Sequence, residues 1–411
     1  MQIAVAVGDC TAEDADLLRR AMGSKRGLEK IDSLKEKLYG GMRRNGIDEE
    51  TCDKIYNQIQ AFAGFGFAES HAISFALLVY ASSWLKLHYP AAFLAALLRS
   101  QPMGFYSPAS LTADARRHGV TVLRPDIQLS GVQAGLESLR TVDVAPAPDS
   151  CLDVDQPPVG LFDPDTAEPT DPHRRDSASA VRLGLADVTG IGLPLAQLIV
   201  DARASGPFTD LGDLVHRTGL TTAQLEALAT AGAFDALGLS RRQAIWDAGN
   251  AAQNRAEYLP DSIVFVQPPL FPLLTAVEQV TADLWATGMS TDDHPVRHVR
   301  AFLTQRGVLS AADLQTAEPD RRIEVGGVVI HRQRPATAGG VTFMNLEDET
   351  GMINIIITTG VWNRYRRVAR ESAALIVRGI LELSAEGVAN IVADAFEPLA
   401  VQGRVQARNF H

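Results

Sequence analysis

Apolar residues recur at helical spacing through residues 1–130 and again through 181–250, where regular glycines break the pattern into short pieces. Thr11 with Asp14 three residues on is an acidic variant of a capping box, so a helix is predicted to open there. Ser70 can cap a long apolar helix that runs to about Tyr89 and is checked by Pro90. Residues 322–398 switch to alternating apolar and polar positions with turn glycines, the period of strands. Ile323–His331, Val341–Leu346, Met352–Ile357, Ala374–Leu383 and Val388–Phe396 read as five strands, with Glu347–Gly351 as a tight turn. A short helix, Trp362–Arg370, falls between the third and fourth strands. Residues 131–180 hold seven prolines and read from about 142 as a loose insertion. Residues 251–321 form a Pro-rich connector leading to a short helical unit, and 399–411 a tail.

The chain of 411 residues is therefore read as a multidomain α+β protein, with ordinary hydrophobic content and room for about two to four domains. Its net charge of −11 argues at first against a nucleic-acid partner. Seven of those eleven excess charges sit in residues 142–180, which carry nine acids against two arginines. Local fields decide binding, so the remainder of the chain stays open to a polyanion. Cys10, Cys52 and Cys151 lie far apart and show neither zinc spacing nor a disulfide framework. No secretory leader is read, and the apolar run Ile73–Leu85 is too short to span a bilayer, so a cytoplasmic protein with no membrane partner is expected. His294 and His298 have i, i+4 spacing but no third ligand nearby, and no metal site is assigned.

Two modules carry candidate chemistry. Val188-Thr189-Gly190-Ile191-Gly192-Leu193-Pro194 is a hydrophobic-Gly-hydrophobic-Gly turn entering a helix, with Pro194 in the first helical turn. Such a turn leaves backbone N–H groups free for a phosphate. It resembles a helix-hairpin-helix motif, and Phe208–Leu214 with Leu225–Asp235 supplies a second unit. Gly190, Ile191 and Gly192 are the candidate DNA-backbone contacts. The five strands with a helix after the third have the order of an OB-fold barrel. Between residues 322 and 378 eight arginines face five acids. Arg332, Arg334, Arg364, Arg366 and Arg367 are candidate single-strand contacts, and Phe343 is either an exposed stacking residue or barrel core. The arginine run can also be read as a solvated helix face.

Residues 61–99, a Gly-rich aromatic turn (Gly64-Phe65-Gly66-Phe67) leading to Ser70-His71 and the apolar helix, closely resemble the fingers region of bacterial family C DNA polymerases, the DNA polymerase III alpha subunits. Leu17–Lys25 resembles the same family's Leu-Arg-Arg-Ala-Met-Gly-basic motif. The resemblance implies that residues 1–130 are part of the fingers, 131–180 an insertion, 181–250 the tandem helix-hairpin-helix domain and 322–398 the OB-fold. It implies that Arg19, Arg20, Lys25, Gly64, Phe65, Gly66, Phe67, Ser70 and His71 lie beside the incoming deoxynucleoside triphosphate. Arg suits that role by its bidentate fork. Gln101–Pro108, Asp114–Gly119 and the barrel segments Asn345–Gly351 and Tyr365–Arg370 resemble the error-prone form.

The family's palm aspartates should lie upstream of the fingers. The Asp153-Val154-Asp155 pair lies in the insertion and is not read as catalytic. The expectation is thus the C-terminal portion of an error-prone, translesion polymerase, with no catalytic residues and no cofactor of its own; Mg2+ is expected for the full-length enzyme. Implied partners are primer-template and single-stranded DNA, the nucleotide, and translesion accessory proteins. Gln267-Pro268-Pro269-Leu270-Phe271 resembles a sliding-clamp peptide, with Gln267, Leu270 and Phe271 as its contacts. The alternative is a non-catalytic DNA-binding accessory protein built from the same two modules.

Overall fold

The structure, a computed structural model, describes residues 2–22, 27–63, 69–104, 106–139, 174–253, 271–335, 338–384, 388–402 and 408–410, without the side chains of 2, 22, 27, 28, 30, 62, 63, 69, 70 and 408–410. It divides into two compact units. The first comprises residues 1–83 with 333–342 and 410–411; the second comprises 84–332 and 343–409.

The first unit is helical: α1 (Gln2–Gly8), α2 (Ala12–Met22), α3 (Gly27–Asp32), α4 (Lys35–Arg44), α5 (Glu49–Ala63) and most of α6 (Glu69–His88). Thr11 Oγ1 accepts from the Asp14 N–H at 3.2 Å while Asp14 accepts from the Thr11 N–H at 2.7 Å, the reciprocal cap expected from the sequence. The core gathers Ala4, Leu18, Ile31, Leu38, Met42 and Tyr56. Gly41 is required by close approach of α1 and α4, because a Cβ there would stand 2.1 Å from the Gly8 carbonyl oxygen. The expected cap at Ser70 is corrected: α6 begins at Glu69, which puts Ser70 inside the first turn. Although α6 is apolar on all sides, it is not buried: Ile73, Leu77, Leu78, Val79 and Tyr80 are all exposed, Tyr80 by 78%.

In the second unit α7 (Pro90–Arg99) and α8 (Pro108–Arg117) pack on a small sheet of β1 (Val122–Leu123), β2 (Gly135–Ser138) and β3 (Ser179–Arg182), in the order β1-β3-β2. The β2–β3 pairing joins the two ends of the acidic segment in antiparallel register, Leu136 opposite Val181. Residues 131–139 and 174–180 are therefore part of the fold, and only 140–173 of the expected insertion lies outside the described residues. Asp176 belongs to this framework. It is buried and accepts from the N–H groups of Ala91 (2.7 Å) and Ala92 (3.1 Å), satisfying the free donors at the start of α7.

Next come α9 (Leu193–Arg203), α10 (Leu211–Thr218), α11 (Thr222–Ala231), α12 (Arg241–Ala251) and α13 (Ala276–Thr287) around one core that includes Ile191, Ile199, Leu214, Leu225, Leu228 and Phe234. Short polar caps begin α10 to α13: Asp210, Thr221, Ser240 and Thr275 each accept from a backbone N–H three residues on. Glycines 219, 232 and 288 close α10, α11 and α13 in the left-handed conformation.

After α14 (Arg300–Arg306) the chain forms a barrel from β4 (Arg322–Gln333), β5 (Thr342–Glu347), β6 (Met352–Ile357), β7 (Ala374–Leu383) and β8 (Ala389–Pro398), with α15 (Thr359–Glu371) between β6 and β7. The strands pair in the order β5-β6-β8-β7-β4, and β4 returns to β5, which closes the barrel. The parallel pairing of β6 with β8 is the signature of the OB-fold crossover through α15. A short β9 (Arg408–Phe410) adds to β4.

The barrel joins the rest of its unit through the β5–β6 turn. Arg300 of α14 bonds Asp348 at 2.8 Å and Glu349 at 2.5 Å, and Asp348 also accepts from the Ala311 N–H at 2.9 Å. Arg117 of α8 lies 3.5 Å from the buried Glu347. Burial pushes the Glu347 carboxyl up to about 7 despite Arg117, with Asp348 and Asp114 adding to the rise. His294, half-buried nearby, is pulled down to about 4, with desolvation again the first cause.

Candidate nucleic-acid interface

The 188–193 turn is built from anchors and gaps. Val188 and Ile191 are buried in the helical core and hold the turn down. Gly190 takes φ of +90° with nothing within 4 Å of where a Cβ would stand, so this corner needs glycine for its conformation and is open to solvent. The Ile191 N–H donates to the Val188 carbonyl at 2.9 Å. Ile191 is therefore removed from the candidate contacts: its side chain is core and its N–H is spent. Among the described residues the N–H groups of Gly190, Gly192 and Leu193 find no protein acceptor. They form a cradle at the N-terminus of the 11-residue α9, where the helix dipole also favours an anion.

Outside this cradle, most positive charge of the helical module is already engaged. Arg203 donates to the carbonyls of Ile127 and Ser130, Arg217 pairs with Asp213, Arg241 with Asp283 and Arg242 with Glu278. The last turn of α13 buttresses the cradle: Thr189 donates its N–H to the Ala286 carbonyl (2.7 Å) and its hydroxyl to the Trp285 carbonyl (3.3 Å).

On the barrel, Phe343 projects outward from β5 between buried Thr342 and Met344 and is 39% exposed. That removes the barrel-core alternative and leaves a flat ring available for stacking. Arg364, Arg366 and Arg370 stand exposed on α15 and make no ion pair among the described residues, while Arg367 lies 3.4 Å from Glu371. Arg334 is exposed and falls in the segment that clusters with the first unit.

Arg332 is a correction. It is buried and donates to the carbonyls of Ala369 (2.8 Å) and Ser372 (2.5 Å), tying β4 to the end of α15. Burial lowers its guanidinium to about 10. It is a structural residue that no nucleic acid can reach.

The nucleotide-side candidates are only partly described. Arg19 and Arg20 are exposed and share Asp16, at 2.9 and 2.6 Å. His71 is exposed and meets Phe75 edge-on at 4.5 Å. Lys25, Gly64, Phe65, Gly66 and Phe67, the side chain of Ser70, and the clamp candidates Gln267 and Leu270 lie outside the described residues. So do Asp153 and Asp155. Phe271 packs against Trp246 with the rings tilted by 59° and their centroids 5.6 Å apart, the local packing that competes with a clamp role.

Similarity to known proteins follows the same modules. Residues 1–46 match the family model for the bacterial DNA polymerase III alpha subunit finger domain. Residues 119–244 match the helix-hairpin-helix motif, and 323–399 the OB-fold nucleic acid binding domain. The chain is 56% identical to an error-prone DNA polymerase of Cutibacterium acnes, covering 100% of this chain and 37% of the relative. It is 47% identical to the error-prone DNA polymerase of Nocardia farcinica, covering 100% of this chain and 33% of the relative. Against the one from Mycobacterium tuberculosis the identity is 45%, over 100% of this chain and 34% of the relative. The chain thus spans about a third of the length of the curated relatives it matches.

Proposed function

Because this chain belongs to the bacterial DNA polymerase III alpha-subunit family, among its error-prone members, we propose that it is the part of a lesion-bypass polymerase that grips DNA and faces the incoming nucleotide. The observation that carries the DNA role is the open cradle of Gly190, Gly192 and Leu193, three unspent N–H donors at a helix start. Contacts of this kind hold the backbone in place and read no sequence. The barrel would take the single-stranded stretch, with Phe343 as a stacking platform and Arg364 and Arg366 as phosphate partners. Arg19 and Arg20, tethered by one shared carboxylate, are proposed to swing onto the nucleotide triphosphate.

Gly192→Val is the cleanest test of the cradle. Gly192 has φ of −73° and ψ of 169°, an ordinary extended conformation, and a Cβ there meets only Pro194 at 3.7 Å. The substitution therefore places bulk at the cradle with little backbone strain. Duplex binding should weaken about tenfold or more, for any duplex sequence, with the melting curve unchanged. A folded Gly192→Val protein that binds duplex as well as the parent would refute the role.

Catalysis is proposed to need carboxylates that this chain does not carry. Among the described residues no group of three or more His, Cys, Asp or Glu is arranged to hold a metal ion, and no metal step is assigned to it. The purified chain should bind primer-template but not extend it with Mg2+ and nucleotides present. Extension that is abolished by Asp153→Ala with Asp155→Ala would place the catalytic carboxylates in the acidic segment instead. A clamp contact through Gln267, Leu270 and Phe271 remains a proposal; it would require Phe271 to leave Trp246. Among the described residues no helix is long and apolar enough to cross a membrane, and a chromosomal polymerase would act in the bacterial cytoplasm, with translesion accessory proteins as further proposed partners.

A further inference from the structure

The cradle has an apolar neighbour that its phosphate-binding role does not use. On α13, Leu284 and Ala286 are buried, whereas Trp285 between them is 60% exposed. Its backbone is fixed beside the turn by the hydroxyl of Thr189, and the next carbonyl by the Thr189 N–H. On the other flank Leu193, the first residue of α9, is 55% exposed. The backbone of exposed Trp285 is thus one hydrogen bond from Thr189, next to the first free N–H, and exposed Leu193 carries the last of the three. Neither side chain carries a charge, so their contribution does not depend on displaced counterions.

A phosphate in a duplex has limited apolar surroundings. The bases are stacked inside, and the apolar surface adjoining each phosphate is the face of a deoxyribose. We propose that Trp285, with Leu193, packs against the deoxyriboses flanking the phosphate held by the cradle. This rests on the reading of the cradle given above and adds to it a salt-insensitive component with a preference for DNA over RNA. The indole suits the position: a large apolar body with one N–H handle works at an edge that is partly wet. The 2′-hydroxyl of RNA would place a polar group against that body and weaken the packing.

The test uses the whole 411-residue chain, a short blunt DNA duplex and the RNA duplex of the same sequence. Trp285→Ala should weaken DNA duplex binding about tenfold, and Trp285→Phe should keep most of the affinity. The slope of log affinity against log salt should stay unchanged in both, because every group that displaces a counterion is still in place. RNA duplex binding should begin weaker and change little. DNA-induced quenching of tryptophan emission should fall clearly in Trp285→Phe. Both variants leave the backbone bonds to Thr189 in place, and equal melting curves confirm that the fold is intact.

Unchanged DNA affinity with unchanged quenching would overturn the inference and point to a protein surface as the cover for Trp285. A changed salt slope would also overturn it. The two failures separate cleanly. If Gly192→Val abolishes duplex binding while Trp285→Ala is silent, only this inference falls. If Gly192→Val is silent, the cradle itself is wrong.

Discussion

Arginines on one barrel divide by what their guanidinium groups touch, and only the structure makes the division. Arg332 is buried on two carbonyls, whereas Arg364 and Arg366 stand in solvent with no ion pair among the described residues. Removing Arg332 strands the Ala369 and Ser372 carbonyls in a dry site, and an unsatisfied buried polar group costs about 1–3 kcal/mol. Arg332→Ala should therefore destabilise the barrel by about that much or more, read as a lower denaturant midpoint. Arg364→Ala with Arg366→Ala should leave stability within about 0.5 kcal/mol. The same pair should lower the salt slope of single-strand binding by about 0.7 for each phosphate no longer neutralised. If the exposed pair proves destabilising and salt-silent, the barrel face has been misassigned.

Among the elements, those with local signals are legible in the sequence. The cap at Thr11, the strands of the barrel with the helix after the third, and the 188–193 turn all follow from residues within a few positions of each other. What is not legible depends on residues far apart in the chain. Asp176 caps α7 from 85 positions away, so in the sequence it reads as one more acid in a loose segment. Trp285 meets the 188–193 turn from 96 positions away. The junction at the β5–β6 turn is of the same kind, and it makes a testable statement about pH.

Glu347, with its folded value raised to about 7, binds a proton more readily folded than unfolded. Its protonation supports the fold at low pH, and that support is lost as pH rises from about 4.5 through 7. His294, depressed to about 4, acts oppositely: the unfolded chain takes its proton first, and stability is lost as pH falls from about 6.5 toward 4. Across their shared window the two slopes offset one another. Glu347→Gln should stabilise the protein above pH 7 by on the order of 3 kcal/mol and leave stability near pH 4.5 unchanged. It should also expose the His294 slope, so the variant loses stability on acidification more steeply than the parent. Denaturant midpoints taken from acid to pH 8 would show both effects; parallel curves for parent and variant would refute them.

The whole molecule combines a net charge of −11 with modules of nucleic-acid-binding type, which is consistent because the acids concentrate in one segment and the proposed phosphate contacts are N–H groups and arginines without an ion pair among the described residues. It also carries α6, a helix with the composition of a buried element and the exposure of a surface one. Leu77 is 70% exposed, and Leu78 and Val79 beside it are nearly as bare. Such a helix gives this chain two responses to salt of opposite sign. Added salt displaces DNA, because counterion release weakens phosphate contacts. Sulfate, being excluded from protein surface, drives apolar faces together. Raising ammonium sulfate should carry the chain from DNA-bound monomer to free, self-associated species, visible as a rising sedimentation coefficient while DNA is released. Leu77→Lys with Val79→Lys should abolish the second change and leave the first intact. In a cell this imbalance becomes a matter of lifetime: bare apolar stretches such as α6 are what chaperones and proteases recognise, so the exposure of this helix bears on how long a copy survives.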